Sequence, residues 1–314
     1  MSDLFALSDF QSLFRLSQAE AIAIHDVLRM PDTIVTTERD TMASDIALLL
    51  VLAYLGGARL PSLARTFGRS QSACSRVCMA TIDAIHSQWG HLLDITSAHE
   101  GLLRPERLRR YADVLSDHEQ GSPLGGLWGF IDGTVRPIAR PSRGQRELYS
   151  WHKRQHGHKY QVIIAPDGLL WVYGPVSARR NDSFVLKDSG LHDWLNANSK
   201  DSQGDLFLFG DKGYAAKDHL VVPHKGLHIG PAEQEFNLEM SRFRIAVEWA
   251  IGSVPTLFPR LEIKRLQRSL HSDLAAQYRV GCLLRNALSC LAGNQTAQTF
   301  NCDTPTLAAY FVPM

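Results

Sequence analysis

The chain has 314 residues, of which 45% are hydrophobic and 21% are charged, and its formal net charge at pH 7 is +1. These values are ordinary for a globular protein with a full core, and the length predicts two domains or one large domain with a helical annex. No apolar run reaches membrane-spanning length, and the five cysteines form no Cys-X-X-Cys pair. We therefore expect an intracellular protein without a disulfide framework or a cysteine zinc site.

Residues 1–120 are predicted to be almost wholly helical. Apolar residues recur at helical spacing over residues 4–28, and Ser17-Gln-Ala-Glu20 is typical of a capping box that opens a helix. A second, strongly apolar helix is expected over residues 41–54, and the glycine pair that follows it would end it.

The segment 60–82 is predicted to form a short helix, a tight turn at Gly68 and a second helix capped by Ser70. This is the pattern of a helix-turn-helix, in which early residues of the second helix face the major groove of DNA. A helical hairpin that serves only packing is the alternative. The exposed residues of a DNA-binding helix would be Arg69, Gln71, Ser72, Ser75 and Arg76.

From residue 127 onward the pattern changes to strands. Two runs, 159–165 and 169–174, are joined by Pro166-Asp-Gly168, which predicts a β-hairpin because Asp-Gly supplies the positive φ of such turns. Together these elements favour an α/β fold, a mixed sheet with helices on both faces. The further predictions are a helix over 181–197, a loop over 199–205, strands over 206–209 and 219–222, helices over 236–254 and 270–292, and a loosely ordered tail from residue 293.

Two short apolar runs rich in aromatic residues end at Asp132 and Asp211. We expect each to be a buried strand that delivers a carboxylate at its C-terminal edge, and a segment of helical composition carries Glu248. Carboxylates of this kind can hold two hard divalent cations, which prefer oxygen ligands. For each aspartate alone, a turn-forming role before glycine is the alternative.

A basic segment runs from residue 136 to residue 159, with Glu147 as its only acidic residue. Such a local field beside a carboxylate cluster favours a polyanionic substrate, whereas a solvated loop is the alternative. The basic residues are Arg136, Arg140, Arg143, Arg146, Lys153, Arg154 and Lys159, with His152, His156 and His158 among them.

Five blocks follow one another between roughly residues 125 and 260. They are Phe130-Ile-Asp-Gly-Thr134, Gly157-His-Lys-Tyr-Gln161, Arg180-Asn-Asp-Ser183, Gly210-Asp-Lys-Gly-Tyr214, and the run from Phe236 to Gly252 that contains Glu248-Trp249. Together they resemble, in order, the blocks of PIF/Harbinger-type transposases, which belong to the DDE superfamily of endonucleases. The order of several blocks makes this resemblance far more specific than any one of them.

The resemblance implies a fold and a metal site. The fold would be a ribonuclease H-like mixed sheet flanked by helices over residues 121–268, with an all-helical, helix-turn-helix-like region over 1–120 and a C-terminal helix and tail over 269–314. Two Mg²⁺ or Mn²⁺ ions would be bound, with Asp132 bridging both, Asp211 on one and Glu248 on the other. Asp182 would be a further ligand, an acceptor behind the ligands, or a helix N-cap.

The resemblance also implies a DNA surface around the carboxylates. His158 and Lys159 would line the DNA channel, and Lys212 would contact phosphate or be merely exposed. Arg242 and Arg244 precede Glu248, where they would balance the carboxylates or grip the strand. The further DNA contacts expected are Arg69, Gln71, Arg76, Arg136, Arg140, Lys153 and Arg154.

The activity implied is a metal-dependent DNA endonuclease and transposase that cuts transposon ends and joins the 3′-hydroxyl to target DNA. Its partners would be double-stranded DNA, a separate Myb-like DNA-binding protein and a second copy of the chain. The protein would be in the nucleus, or in the cytoplasm until it is imported with a partner. One rival is a domesticated DNA-binding or chromatin-associated scaffold that retains the fold. Another is a nuclease of this fold that acts on RNA or repair intermediates.

Overall fold

The computed structural model describes residues 4, 9–96, 103–118, 121–226, 228–268 and 273–313. Parts of four predictions lie outside the described residues: residues 5–8 of the N-terminal helix, the boundary of the helical region at residue 120, the start of the C-terminal segment at residue 269, and the first three residues of the helix expected over 270–292. Among the described helices, none combines the length and the apolar character that crossing a membrane requires.

The N-terminal region is a layer of helices with one small hairpin. The capping box at Ser17 is confirmed, because its hydroxyl accepts from the Glu20 amide while the Glu20 carboxylate accepts from the Ser17 amide. The elements are α1 (Phe10–Phe14), α2 (Gln18–Leu28), β1 (Thr33–Val35), β2 (Thr41–Ala43), α3 (Ser44–Leu55), α4 (Leu60–Phe67), α5 (Gln71–Trp89) and α6 (Pro105–Asp117).

The hairpin β1–β2 corrects the prediction of a helix that begins at residue 41. Met42 lies opposite Ile34 in the antiparallel pair, and both side chains are buried while their neighbours along the strands are exposed. This alternation is that of a half-buried strand, so α3 begins only at Ser44. The helix, turn and helix predicted over 60–82 are present, with Gly68 in the left-handed conformation and Ser70 accepting from the Ala73 amide.

A six-stranded mixed sheet forms the centre of the remaining chain. The order of its strands is β10-β9-β3-β5-β4, and β6 also pairs with β5. Strand β5 is antiparallel to both β3 and β6. On the other side of β3, β9 pairs with β3 in parallel and β10 pairs with β9 in parallel. The strands are β3 (Leu127–Pro137), β4 (Tyr149–Ser150), β5 (Gln155–Ile164), β6 (Leu170–Ser177), β7 (Lys200–Asp201), β8 (Gly204–Asp205), β9 (Phe207–Gly210) and β10 (Leu220–Val221). The pair β7–β8 is a separate small hairpin where a loop was predicted.

Helices cover both faces of this sheet. On one face Phe130 stacks on Phe300 and Tyr160 contacts Tyr278, while on the other Gln161 donates to Ser189 after α7. The prediction of a mixed α/β sheet flanked by helices is therefore confirmed. The helices are α7 (Asp182–Asp188), α8 (Leu191–Asn198), α9 (Pro231–Leu257), α10 (Leu274–Ala292), α11 (Gln295–Phe300) and α12 (Leu307–Tyr310).

Two helical predictions are wrong in detail. The single helix expected over 181–197 is broken into α7 and α8, because Gly190 adopts a left-handed conformation with φ of 66°. The tail is ordered rather than loose, since α11 and α12 bury Phe300 and Tyr310 and the Tyr310 hydroxyl accepts from Asn286 in α10. Helix α10 itself contacts β6, α5 and α2. Residues of all three predicted segments thus share one continuous hydrophobic core.

The turn between β5 and β6 is held by a buried charge network. The Asp167 carboxylate is fully buried and accepts from the Tyr111 hydroxyl at 2.5 Å and from Arg107 Nη2 at 2.9 Å, both on α6. Gly168 follows with φ of 76°, as the Asp-Gly signal predicts. This network ties the central sheet to the last helix of the N-terminal layer.

Replacing Asp167 should therefore destabilise the whole fold. In Asp167→Asn the Arg107 guanidinium loses its buried counter-charge, so we expect the free energy of unfolding to fall by about 3 kcal/mol in urea denaturation. The matched control is Asp193→Asn, since the Asp193 side chain is 93% exposed on α8. This control should lose less than about 0.5 kcal/mol, and equal losses in the two variants would contradict the prediction.

Candidate active site

The pairing of β3 with β9 brings Asp132 and Asp211 together. Phe130 pairs with Phe209 and Ile131 with Gly210, so the next residue on each strand is an aspartate. Neighbouring strands lie about 4.8 Å apart, and residues in register point to the same face. The two carboxylates therefore lie side by side where the parallel pairing ends.

Asp132 does not end its strand, which corrects the sequence-based expectation. Strand β3 continues to Pro137 because its other edge stays paired with β5, from Asp132 opposite Val162 to Pro137 opposite Gly157. Only the parallel partner β9 stops, at Gly210. At Asp132, β3 is thus paired only with β5, and Asp211 lies on the turn that follows β9.

Asp182 is the third carboxylate of the site. It is the first residue of α7, and its neighbour Asn181 is the N-cap, accepting from the Phe184 amide at 2.8 Å. The N-cap of α7 is therefore Asn181 and not Asp182. A Cβ atom on Gly133 would clash with Asp182 Oδ1, and one on Gly213 would lie 2.9 Å from Asp182 Oδ2 and 3.0 Å from Asp211 Oδ1. The glycines after the two strand aspartates make the room that Asp182 occupies.

Lys159 belongs to this carboxylate cluster and not to an open channel. It is 8% exposed, its Nζ lies 2.9 Å from Asp182 Oδ1, and it donates to the Arg180 carbonyl at 3.1 Å. The pair is close but not aligned as a hydrogen bond, so Asp182 Oδ1 is a buried oxygen without a hydrogen-bond donor in the described structure. Burial follows from the position of Lys159 in the middle of β5, between β3 and β6.

Glu248 and Arg244 approach the cluster from α9. Arg244 Nη1 lies 3.9 Å from Asp132 Oδ2, and Arg244 Nη2 lies 3.4 Å from Glu248 Oε1. Glu248 is 64% exposed, while Phe243 and Val247 on the same helix are buried against the core. The guanidinium of Arg244 thus stands between the strand carboxylates and Glu248. Among the described residues, no three His, Cys, Asp or Glu side chains are close enough to hold one ion jointly.

The crowding of carboxylates changes the protonation of the site. Burial raises the pKa of Asp132 to about 6; the Gly133 amide and Arg244 oppose this shift, and Asp211 and Asp182 add to it. Burial also raises the pKa of Tyr214 well above its ordinary value, and the same three aspartates contribute. The Tyr214 hydroxyl is buried without a hydrogen-bond partner in the described structure.

These features fit divalent cations. The donors are carboxylate oxygens, which Mg²⁺ and Mn²⁺ prefer. One of these oxygens, Asp182 Oδ1, is buried without a hydrogen bond, and Asp132 is held where burial, with a smaller contribution from Asp211 and Asp182, raises its pKa and disfavours its charge. A bound cation would relieve both, because it lowers the pKa of nearby carboxylates.

The other predicted DNA contacts divide by exposure. Arg136 is 7% exposed, lies over the Tyr278 ring and contacts Glu262 at 3.3 Å, so it is buried in the core rather than on a surface. Arg76 is half-buried and bound to Asp40 at 2.6 Å, which corrects its expected exposure. His158 is half-buried, and burial lowers its pKa. The exposed members of the set are Arg69, Gln71, Arg140, Lys153, Arg154, Lys212 and Arg242.

Sequence reasoning missed three features of the site: the counter-charge of Lys159, the buried hydroxyl of Tyr214 and the space left by Gly133 and Gly213. A signal existed for the glycines, because each follows a catalytic candidate within two residues. The pairing of Lys159 with Asp182 had no comparable signal, since the two lie on different elements.

The raised pKa of Asp132 predicts a pH-dependent effect in metal-free protein. A carboxyl whose pKa is higher in the folded state than in the unfolded state destabilises the fold progressively as pH rises from about 4 to about 6, and fully above that. Asp132→Asn should therefore raise the free energy of unfolding, by about 2 kcal/mol more at about pH 8 than at about pH 4.5.

Urea denaturation in EDTA at both pH values measures this difference, with Asp193→Asn as the control for loss of one charge. An Asp132→Asn effect that is the same at both pH values would show that the carboxyl is ionised normally in the fold.

Two comparisons of the sequence with known proteins found similarity in this region. Residues 131–286, which contain all four acidic candidates, match the sequence profile of the DDE superfamily endonucleases. The chain is 29% identical over 126 residues to a probable transposase for insertion sequence element IS702 of Microchaete diplosiphon. That alignment covers 38% of this chain and 42% of the relative, so the chain spans about two fifths of the length of the curated relative it matches. No solved structure matches the chain significantly.

The profile match and the relative confirm the superfamily resemblance, while the PIF/Harbinger subtype stays a prediction. The residues that carry Asp132, Asp182, Asp211 and Glu248 lie in one matched segment. Residues 131–286 of this chain are therefore similar to a DDE superfamily endonuclease domain.

Proposed function

We propose that this chain is a divalent-metal-dependent DNA endonuclease and transposase, which cuts transposon ends and joins the freed 3′-hydroxyl to target DNA. The observation that carries the proposal is the neighbouring position of Asp132 and Asp211 at the end of the β3–β9 pairing, with Asp182 beside the glycines that follow them, inside the segment that matches the DDE superfamily endonucleases. The similarity to a probable transposase supports DNA as the substrate.

Asp132, Asp211 and Glu248 would hold two Mg²⁺ or Mn²⁺ ions, with Asp182 as a further ligand. When bound, such ions supply an activated water and stabilise the leaving oxygen of a phosphodiester. Glu248 is available for this role because most of its carboxylate is exposed and its contact in the described structure is with Arg244 at 3.4 Å.

Two basic side chains would set the charge of the site. Lys159 fixes Asp182 beside the strand aspartates and is shielded from solvent. In the absence of ions, Arg244 offsets part of the charge of Asp132 and Glu248. Its side chain is 29% exposed, so it could contact a phosphate once bound cations offset the charge of the carboxylates instead.

We also propose that the sheet is ribonuclease H-like. The support is an antiparallel meander of β3, β5 and β6, a helical connection through α7 and α8, and two further strands parallel to β3. A PIF/Harbinger subtype, a Myb-like partner and a homodimer belong to the same proposal and rest on the sequence blocks.

DNA would be held by exposed basic residues on two surfaces. Helix α5 begins with Gln71 and Ser72 exposed, next to Arg69, as a recognition helix requires. Around the carboxylate site, the exposed residues proposed to contact phosphate are Arg140, Lys153, Arg154, Lys212 and Arg242.

A scaffold that retains the fold without activity is the second candidate. The observation in its favour is that Arg244 lies within ion-pair distance of both Asp132 and Glu248 and offsets part of their charge, which a protein without bound metal would need. Such a protein would bind DNA even after the aspartates were replaced.

A cleavage assay separates these functions. Wild-type protein with Mn²⁺ should cut element-end DNA, whereas Asp132→Asn and Asp211→Asn should each lose activity by at least about 100-fold, because the ions lose a ligand. Asp193→Asn is the matched control and should cut normally.

Three outcomes discriminate. Equal cleavage by wild type and both variants would remove the carboxylates from catalysis. DNA binding without cleavage would favour the scaffold, and faster cleavage of a matched RNA would favour an RNA nuclease.

A further inference from the structure

A second functional surface lies beside the carboxylate site, on the connection between β3 and β5. It is an open cleft of about 700 Å³, a volume suited to a nucleotide-sized ligand. Three arginines and three ring side chains supply most of its lining, namely Arg140, Arg146, Arg179, Tyr149, Trp151 and His156. Apart from Arg140, these residues were given no role by the proposed function.

Trp151 is the most exposed large hydrophobic residue of the described structure, with 78% of its surface in solvent. Its ring lies 5.2 Å from that of Tyr149 at an interplanar angle of 84°, and Tyr149 in turn lies 5.1 Å from His156. The three rings therefore brace one another while the indole remains open to solvent. Exposing an indole is unfavourable unless a ligand covers it, and a π-surface is what an unstacked base requires.

The charge around these rings is mostly positive, and Glu147, which lines an adjoining cleft, is its acidic neighbour. Arg140 hydrogen-bonds the neutral side chain of Gln145 at 2.8 and 3.0 Å. In the described part of the chain, neither Arg140, Arg146 nor Arg179 has a carboxylate within ion-pair distance. Guanidinium groups without a carboxylate partner beside an exposed indole suit a phosphate backbone whose bases stack on aromatic side chains.

A second cleft adjoins this one and ends at the residue before Asp182. It has a volume of about 620 Å³, shares Arg179 with the first and is also lined by Arg180, Asn181, Phe184, Ser177 and one acidic residue, Glu147. Arg180 stacks over the Phe184 ring at 4.2 Å, and its carbonyl accepts from Lys159, which pairs with Asp182. The basic and aromatic surface thus ends where Asp182 begins α7.

We propose that these two clefts form a track for an unpaired segment of the DNA substrate, in which one base stacks on Trp151 and the backbone lies along Arg146, Arg179 and Arg180. The proposal rests on the proposed function, since the track leads from its carboxylate site. Stacking accepts every base, so the track contributes affinity for unpaired strand rather than sequence preference.

A duplex with a single-stranded extension of about six nucleotides, compared with its blunt counterpart, tests this directly. With Ca²⁺ as the divalent cation and gels confirming intact DNA, wild type should bind the extended duplex about tenfold more tightly. Trp151→Ala should abolish that preference and leave blunt-duplex affinity unchanged, while Trp151→Phe should retain most of it. Thermal melts check that the variants fold. We expect that they do, because the Trp151 side chain is exposed and its replacement leaves no cavity in the core.

Two further readouts address the contacts themselves. Trp151 is the only one of six tryptophans that is largely exposed, so iodide quenches chiefly its fluorescence, and extended DNA should protect it. Arg146→Ala combined with Arg179→Ala should lower the salt dependence of extended-duplex binding by about 1.4 in log–log slope.

The outcomes separate the inference from the function on which it rests. Wild type that cuts and binds blunt DNA but shows no preference for the extension overturns the track alone. Equal preference in wild type and Trp151→Ala overturns it as well. No binding to either DNA overturns both the track and the proposed function, and tighter binding of an RNA extension overturns the assignment to DNA.

Discussion

The parallel pairing of β3 with β9 is the constraint on which the site depends. Its register puts Asp132 and Asp211 in neighbouring positions, and no other contact is needed to bring them together. A shift of one residue in either strand would send one carboxylate to the opposite face of the sheet. Phe130 and Phe209, two residues earlier, pack into the core on the same face as the aspartates, so hydrophobic burial fixes the register that the chemistry requires.

That arrangement works against the stability of the metal-free chain. Three aspartates add to the raised pKa of the buried Tyr214 hydroxyl, and burial raises the pKa of Asp132 to about 6. Lys159 and Arg244 offset part of the repulsion, each from a different side of the sheet. Such a site is strained without a cation and relieved by one, which is the property expected of carboxylates selected for function rather than for the fold.

Whether a feature could be predicted from the sequence depends on how far apart its interacting residues lie along the chain. The capping box at Ser17, the cap at Ser70 and the Asp167-Gly168 turn depend on neighbours within a few residues, and all three are present. The aspartates were found because their blocks resemble a known superfamily. Arg136 and Lys159 were misplaced, since their burial depends on Glu262 and Asp182, which only the folded sheet brings near.

The tail and the helix break show the same limit. Residues after 293 have weak local signals, yet Tyr310 is buried through its bond with Asn286. The exposure of Trp151 could not be predicted from the sequence either, because a tryptophan in a basic segment has the same local sequence whether its side chain is buried or exposed. The resemblance of the sequence blocks predicted the carboxylates, and tertiary packing decided which basic side chains accompany them.

Calorimetric titration with Mn²⁺ tests the central claim most directly, with circular dichroism confirming the fold of each protein. Wild type should take up about two Mn²⁺ ions, and Asp132→Asn and Asp211→Asn should each lose most of the heat of binding. If wild type binds no Mn²⁺ even with DNA present, the carboxylates do not form a metal site, and the catalytic account is contradicted.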